Sequence, residues 1–323
     1  MIEIKSSLSR NLKKICEEHY DALHPYISSR LKDLSSRQSC FITGNLKRII
    51  TAKPSELEKV NTEFIDFCVA AGVGRLKEKN VFRGLGSAMN YDWFSKKTNS
   101  HYGGYDLAKK LNVKTCPYCN RSYTVTVADT KNRIVRPDFD HFFPRKQYPL
   151  LSLSFYNLIP SCSTCNRTLK NQNKVVYGKY IHPYEEGFGD ALKINFFPKD
   201  TDSAVGKKTD FDILAVSSPI QTSKSQRCLA SFGLFKLKEL YEESHSSEIA
   251  DIIRKHYVSN GRYLEMLKAA FPKLGSIDEL YRIAFGNYYN EGDFEKRPLS
   301  KLTKDVVEQL VFTYCGNKLI DEK

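Results

Sequence analysis

Apolar residues recur along this chain with two different periods, and the two periods predict two kinds of secondary structure. Between about residues 4 and 108 they return every three or four positions, as at Leu57, Val60 and Phe64, which is the spacing of one face of a helix. The same spacing returns after about residue 236. Both ends of the chain are therefore predicted to be largely helical.

Strand-like patterns are confined to shorter stretches between these ends. Residues 123–127 and 134–138 are β-prone, and the turn-forming residues 129–132 between them predict a hairpin. The second strand of this hairpin is expected to run directly into Asp140 and His141. The hairpin would then present both polar side chains at the end of a strand.

A second pair of short strands is predicted after residue 190. The apolar residues Leu192, Ile194 and Phe196 stand at every second position, and so do Phe211 and Ile213. Alternation of this kind places the apolar side chains on one face of a strand. The C-terminal region is therefore predicted to be mainly helical with a short β segment.

Four of the nine cysteines form two Cys-x-x-Cys pairs, Cys116 with Cys119 and Cys162 with Cys165. Four thiolates at this spacing are a common donor set for a structural zinc ion. A redox-active pair or two disulfides are the competing interpretations. Neither explains why the two pairs flank Asp140 and His141, and a cytosolic chain disfavours disulfides. The pairs predict a closed zinc site, in which no coordination position stays open for catalysis.

Between and beside the cysteine pairs lie side chains suited to phosphodiester hydrolysis. Asp140 and Asn166 offer oxygen ligands for Mg²⁺ or Mn²⁺, and His141 can take a proton from the attacking water. Asn157 is expected to hydrogen-bond across the loop and fix His141, and a short helix should begin near Ser163. Taken singly, either asparagine could be an ordinary loop residue. Because the base must be neutral, cleavage is expected to rise as the pH passes about 6.5.

The charge of the chain suits a polyanionic partner. The formal net charge is +13, and residues 109–190 hold 13 Lys or Arg against 6 Asp or Glu, a net of +7. Such a surface can follow a phosphate backbone, although many basic proteins bind no nucleic acid. The side chains predicted to contact nucleic acid, each with a solvated or purely structural position as the alternative, are Arg136, Arg145, Lys146, Arg167, Lys170 and His182.

Composition argues against a membrane protein. Hydrophobic residues make up 41% of the chain and charged residues 27%, as in ordinary globular proteins. No apolar run approaches the roughly 18 residues needed to cross a bilayer, and the first residues do not form a signal peptide. We expect a cytoplasmic location and no membrane partner.

Residues 140–150 and 156–166, read together, resemble the HNH nuclease superfamily, and in particular the HNH nuclease component of Septu-type and retron-linked anti-phage systems. The resemblance implies that His141 is the general base, that Asp140 and Asn166 bind the catalytic Mg²⁺ or Mn²⁺, and that the central asparagine supports the loop. The departure is Asn166, which stands where many members have histidine.

The resemblance covers roughly residues 104–190 and implies an α+β protein. Its central ββα-metal (HNH) module with structural zinc, predicted for residues 109–190, would be flanked by an N-terminal helical region, 1–108, and a C-terminal mainly helical region, 191–323. Nuclease components of this kind pair with an ABC-type ATPase. The chain has no Gly-x-x-x-x-Gly-Lys phosphate loop of its own, so nucleotide sensing would come from such a partner.

The expected activity is metal-dependent endonucleolytic cleavage of nucleic acid, with DNA favoured over RNA. The alternative is a non-catalytic zinc-ribbon module that binds nucleic acid or protein. Asp140, His141, Asn157 and Asn166 are all present, which favours the nuclease, because a decayed copy tends to lose the base or a metal ligand.

Overall fold

The structure, a computed structural model, describes residues 1–5, 10–70, 80–98, 100–129, 132–171, 173, 175–220, 222–273 and 276–314. It is a mixed α+β structure, as predicted, in which helices predominate and the sheets of the described residues are small. None of the helices in these ranges combines the length and apolarity needed to span a bilayer.

Twelve α-helices and six strands fall within the described ranges. The helices are α1 (Leu12–Arg30), α2 (Ser36–Thr51), α3 (Pro54–Val69), α4 (Leu85–Ala88), α5 (Tyr91–Ser95), α6 (Gly104–Leu111), α7 (Thr201–Ala204), α8 (Thr222–Leu234), α9 (Leu237–Val258), α10 (Tyr263–Ala270), α11 (Ile277–Phe285) and α12 (Ser300–Tyr314). The strands are β1 (Val127–Ala128), β2 (Arg133–Val135), β3 (Asp138–His141), β4 (Leu158–Ser161), β5 (Leu192–Pro198) and β6 (Phe211–Ser217).

The chain divides into two compact units, each drawn from stretches that are separated in sequence. The first unit consists of Met1–Glu3, Lys114–Tyr123 and Glu186–Lys323, and the second of Ile4–Val113 and Thr124–Glu185. Residues of the window 109–190 thus belong to both units. The division into the three regions 1–108, 109–190 and 191–323 stays a prediction.

Helices of the second unit bury the apolar faces that the sequence predicts. Leu57, Val60 and Phe64 of α3 are completely buried. Pro54 occupies the first turn of this helix, where its missing N–H costs no hydrogen bond. Burial of such a face, more than intrinsic propensity, stabilises helices of this length.

The hairpin of the central region exists, but it is shorter than predicted and does not lead into the polar pair. β1 pairs antiparallel with β2, with residues 130 and 131 of the turn outside the described ranges. β2 ends at Val135, and Pro137, which has no N–H to donate to a ladder, follows before β3 begins. Asp140 and His141 lie on β3, whose antiparallel partner is β4.

The first unit contains the predicted second strand pair. β5 and β6 are antiparallel along their whole length. Every apolar residue that the alternation assigned to the inner face is buried, which confirms the predicted period of two. β6 packs against α8 and α9, and β5 packs against α12.

A buried neutral histidine makes the second unit sensitive to acid. His19 is fully buried between the Tyr102 hydroxyl, 3.0 Å from Nδ1, and the Leu153 carbonyl oxygen, 2.9 Å from Nε2. Burial lowers the pKa of His19 to about 4, from an ordinary value near 6.5. The unfolded chain therefore binds the proton more tightly than the folded protein does. The contribution of neutral His19 to the free energy of unfolding is present above pH 6.5 and is lost as the pH falls toward 4.

We expect the free energy of unfolding to fall between pH 6.5 and 4, with His19 contributing on the order of 3 kcal/mol. Urea titrations at several pH values measure the slope. A His19→Asn variant, which cannot take up the proton, should show a shallower slope than the parent in that window. An identical slope in both proteins would show that His19 does not titrate differently in the folded state.

Candidate functional site

The four paired cysteines come together in one cluster. Their sulfur atoms all lie within 4.8 Å of one another, and three of the four residues are buried while Cys162 is half-buried. Tetrahedral coordination with Zn–S bonds of about 2.3 Å requires sulfur atoms roughly 3.8 Å apart. The cluster therefore has the donor atoms and the dimensions to hold a structural zinc ion.

A tight turn shapes the first cysteine pair. The Asn120 N–H donates to the Cys116 carbonyl oxygen at 2.7 Å, and the Cys116 N–H donates to the Ser122 carbonyl oxygen at 2.9 Å. The Arg121 N–H points at the Cys119 sulfur, 3.4 Å away. Asn120 has φ +47°, a left-handed conformation that asparagine tolerates better than most residues. We call residues 116–120 the knuckle.

Asn120 also attaches the knuckle to the C-terminal part of the first unit. Its Nδ2 donates to the Phe294 carbonyl oxygen at 3.1 Å, and its Oδ1 accepts from the Lys301 N–H at 3.1 Å. Its carbonyl oxygen accepts from the Leu299 N–H at 2.5 Å. The segment around residues 297–302, to which the sequence assigns no role, therefore holds the knuckle in place.

Replacing Asn120 with alanine should destabilise the first unit by on the order of 2–3 kcal/mol, because buried partners lose their hydrogen bonds. Zinc should also leave the protein faster in the presence of a chromogenic chelator. Asn112→Ala is the matched control: Asn112 is exposed and has φ +45°, so this variant reproduces the backbone strain alone. Equal effects of the two substitutions would mean that the side-chain bonds of Asn120 contribute nothing.

The carboxylate of Asp140 is buried and paired with a lysine. Asp140 is 2% exposed and Lys170 1% exposed. The Lys170 ammonium lies 2.9 Å from Asp140 Oδ1 and also donates to the His141 carbonyl oxygen at 2.5 Å. The lysine thus links the carboxylate to the end of β3.

The helix that carries Lys170 has π-type hydrogen bonding. It spans Thr164–Lys170, and the Asn171 N–H donates to the carbonyl oxygen of Asn166, five residues earlier. Ser163 stands at the N-cap, as predicted, but its side chain makes no capping hydrogen bond. Bonding between residues five apart brings such residues toward one face, so Lys170 is buried together with Cys165. Short π-type segments are often found at functional sites.

His141 is a buried, neutral imidazole. Its Nε2 lies 3.0 Å from the Ser152 carbonyl oxygen, which can only accept, so Nε2 carries the proton and Nδ1 has the lone pair. The ring meets the Tyr91 ring edge-on, with centroids 4.5 Å apart. Burial lowers the pKa of His141 to about 4, and the Ser152 bond and the Asp140 charge offset only part of this. The side chain is therefore uncharged at neutral pH, with a proton on Nε2 only.

Asn157 fastens the loop that follows His141. Its Oδ1 accepts from the Phe143 N–H at 2.7 Å, while Nδ2 donates to the carbonyl oxygens of Phe143 and Leu151 at 3.1 and 2.9 Å. The side chain is completely buried. The loop between β3 and β4 is therefore fixed from within by one carboxamide.

The predicted nucleic-acid contacts differ widely in exposure. Arg167 is exposed and makes a bidentate pair with Asp138, at 2.8 and 2.9 Å. Arg145 is exposed, pairs with Asp92 at 2.8 Å and lies over the Tyr91 ring. Lys146 is also exposed. These three side chains therefore lie at the surface of the protein.

Two other predicted contacts are engaged inside the protein, as is Lys170. Arg136 donates to the Ser95 carbonyl oxygen at 3.2 Å and is only partly exposed. His182 is buried, accepts from the Tyr184 N–H at 3.3 Å and packs against the Phe142 ring. Burial lowers the pKa of His182 to about 3. His182 is thus placed as a core residue of the second unit.

Sequence reasoning missed several residues that shape the site. Tyr91, from α5, covers the His141 ring, and Ser152 fixes its tautomer through a backbone atom that any residue type would supply. Asn120 could have been found from the sequence, since asparagine directly after a Cys-x-x-Cys turn suits a left-handed conformation.

Asn166, which the sequence predicts as a metal ligand, is half-buried on the π-helix, directly after Cys165.

Part of the chain is similar to a phage protein. The chain is 38% identical over 82 residues to Protein ea31 of Escherichia phage lambda, a match that covers 25% of this chain and 24% of the phage protein. The chain thus spans about a quarter of the length of the curated relative it matches. No protein-family model matches the chain. No solved structure matches it.

Proposed function

We propose that this protein is a metal-dependent HNH endonuclease that hydrolyses phosphodiester bonds of nucleic acid, DNA in preference to RNA. One observation carries the proposal: His141, neutral and held by Ser152 with Nδ1 as its basic atom, directly follows the buried carboxylate of Asp140. A general base needs a neutral imidazole in a fixed tautomer. Both conditions are met by contacts within the second unit.

The order of the surrounding elements supports a ββα-metal module. β3 carries Asp140 and His141, β4 follows Asn157, and the π-helix carries Asn166. Strand, loop, strand and helix thus follow one another with the polar residues where the HNH resemblance places them. The four-cysteine cluster supports the second part of the proposal, a structural zinc ion that acts as a staple.

The donor set suits a hard divalent cation. Asp140 provides a carboxylate and Asn166 a carboxamide, and Mg²⁺ or Mn²⁺ prefers such oxygen ligands together with waters and phosphate oxygens. When bound, this cation would stabilise negative charge that develops on the phosphate and the leaving oxygen. Asp140 already has a counter-charge in Lys170, so the cation would meet a paired carboxylate.

His141 would act on the attacking water through Nδ1. The water transfers a proton to Nδ1 as its oxygen bonds to phosphorus, and the P–O bond to the leaving group breaks. The leaving oxygen takes up a proton from solvent water, so that a phosphomonoester and a hydroxyl group result. The Nε2 hydrogen bond to Ser152 stabilises the imidazolium that forms. Asn157 keeps the loop between β3 and β4 in place while the proton moves.

The resemblance extends the proposal to a biological role. A chain similar to the HNH component of Septu-type and retron-linked systems would be the effector of an anti-phage defence system, with an ABC-type ATPase as its partner. The net charge of +13 favours association with nucleic acid on electrostatic grounds. Arg145, Lys146 and Arg167 are the exposed cations of the proposed contact surface.

The test is cleavage by the purified, zinc-containing protein. Supercoiled plasmid and a structured RNA are incubated in parallel with Mg²⁺, with Mn²⁺ or with neither, and the termini of the products are identified. The proposal predicts nicked or linear plasmid with the divalent cation only. Binding of both nucleic acids without cleavage under every condition would favour the alternative, a non-catalytic zinc-ribbon binding module.

A further inference from the structure

Lys170 is a charged residue in the candidate site that takes no part in the proposed hydrolysis. Its ammonium is 1% exposed and makes two hydrogen bonds, to Asp140 Oδ1 and to the carbonyl oxygen of His141. Both partners lie at the end of β3, where the hydrolysis is proposed to take place. A lysine is almost never buried in this way without a paired charge.

The pair is defined by its short distance and its burial. The Lys170 ammonium lies 2.9 Å from Asp140 Oδ1, and the two side chains are 1% and 3% exposed. Opposite charges this close attract each other strongly where water is excluded. The Asp140 carboxylate therefore already has a cationic partner before any metal ion arrives.

The same pairing opposes the binding of a divalent cation to Asp140. Asp140 carries one negative charge, which the Lys170 ammonium already balances. An added Mg²⁺ would bind at about 2.0–2.1 Å from a carboxylate oxygen and leave an excess of two positive charges in a buried site. Like charges at such short range repel strongly where water is excluded.

Lys170 is also the side chain that can most readily withdraw. It is the last residue of the π-helix, and its charge sits at the end of a flexible four-carbon stem. Asp140 lies within the β3 ladder, opposite Ile159, and is fixed there by strand pairing. Rotation of the lysine stem therefore separates the pair at a lower cost than movement of the strand.

We propose that Lys170 is a resident counter-cation of Asp140, and that a divalent cation binds Asp140 by displacing the Lys170 ammonium. The inference rests on the proposed function, since it concerns the same cation site. Lys170 thus acts as a positioning residue that keeps the site closed and charge-balanced without metal. The metal-binding step then includes the exposure of a lysine.

Lysine labelling of the wild-type protein measures this exposure directly. Acetylation rates of Lys170 are followed by mass spectrometry as Mg²⁺ is added to the zinc-loaded protein. Lys301 is the internal control, because it is also 1% exposed and its ammonium lies 2.6 Å from Asp305 in the first unit. We expect Mg²⁺ to accelerate labelling of Lys170 roughly tenfold or more while Lys301 stays protected.

A variant provides an independent measurement. Lys170→Met removes the competing ammonium, so Mn²⁺ should bind at least about tenfold more tightly than to the parent. Lys170→Arg keeps the charge and should bind Mn²⁺ no more tightly than the parent. Mn²⁺ affinity is read by electron paramagnetic resonance of free ion, without nucleic acid. If Lys170→Met does not fold, labelling of the wild-type protein decides alone.

The outcomes separate this inference from the proposed function. Plasmid cleavage at a Mg²⁺ concentration that leaves Lys170 as protected as Lys301 would overturn the displacement and leave the nuclease in place. Unchanged or weaker Mn²⁺ binding by folded Lys170→Met would also overturn it. Failure of the wild-type protein both to bind Mn²⁺ and to cleave any substrate would overturn the inference together with the proposed function.

Discussion

A Cys165→Ser substitution should release the zinc ion and severely destabilise the protein. Cys165 is completely buried within the four-sulfur cluster, and serine does not supply a thiolate ligand. Binding of structural zinc is coupled to folding and contributes about 10–16 kcal/mol in small zinc domains. A loss on even part of that scale is comparable with the roughly 5–15 kcal/mol stability of a typical domain.

Elemental analysis and thermal unfolding measure this effect together. The parent should contain about one zinc ion per chain, and Cys165→Ser much less, with a lowered unfolding temperature. Cys40→Ser is the matched control, because Cys40 is exposed and lies outside the cluster, and it should keep both zinc and stability. A parent without zinc after chelator-free purification would contradict the metal staple.

Asp140→Ala should lower stability and abolish cleavage, for two separate reasons. It removes the proposed cation ligand, and it leaves the Lys170 ammonium buried without its carboxylate. Breaking a buried ion pair from one side typically costs about 3–5 kcal/mol. Adding Lys170→Met should recover most of the stability in urea titrations, but not the cleavage.

A second ion pair on the same two elements provides the control. Asp138 on β3 pairs with Arg167 on the π-helix, but the Arg167 side chain is 72% exposed. Exposed pairs contribute about 0–1 kcal/mol, so Asp138→Ala should have a small effect on stability. Equal losses for Asp138→Ala and Asp140→Ala would show that the buried lysine does not depend on its carboxylate.

The parts of the fold and of the site that the sequence predicts are those that depend on residue type and spacing. The zinc cluster follows from two Cys-x-x-Cys pairs, because four thiolates have few other uses in one chain. The β5–β6 pair follows from strict alternation, which has the same period in every strand. The α3 face follows from apolar residues three and four apart.

The parts that the sequence does not predict depend on contacts between distant residues. Strand pairing is one case: β3 pairs with β4, and not within the expected hairpin, because Pro137 interrupts the extended run before Asp140. Lys170 is another, since a lysine four residues after Asn166 suggests an exposed phosphate contact until its carboxylate partner is known.

The lowered pKa of His141 is a further property that the sequence does not predict. The sequence suggests an ordinary imidazole, active above about pH 6.5. The fold places this ring beneath Tyr91, and burial lowers the pKa to about 4. Burial depends on α5, which lies about 50 residues away in the chain, so no local pattern could reveal it.

The measurement that tests the central claim most directly is the single-turnover cleavage rate of His141→Ala at wild-type zinc content. Removing the general base should lower the rate by roughly 10²-fold or more while nucleic acid still binds. His19→Ala removes another buried imidazole from the same unit and should leave the rate per folded molecule near that of the parent. A His141→Ala rate close to the wild-type rate would contradict the assignment of His141 as the base, and the HNH nuclease proposal with it.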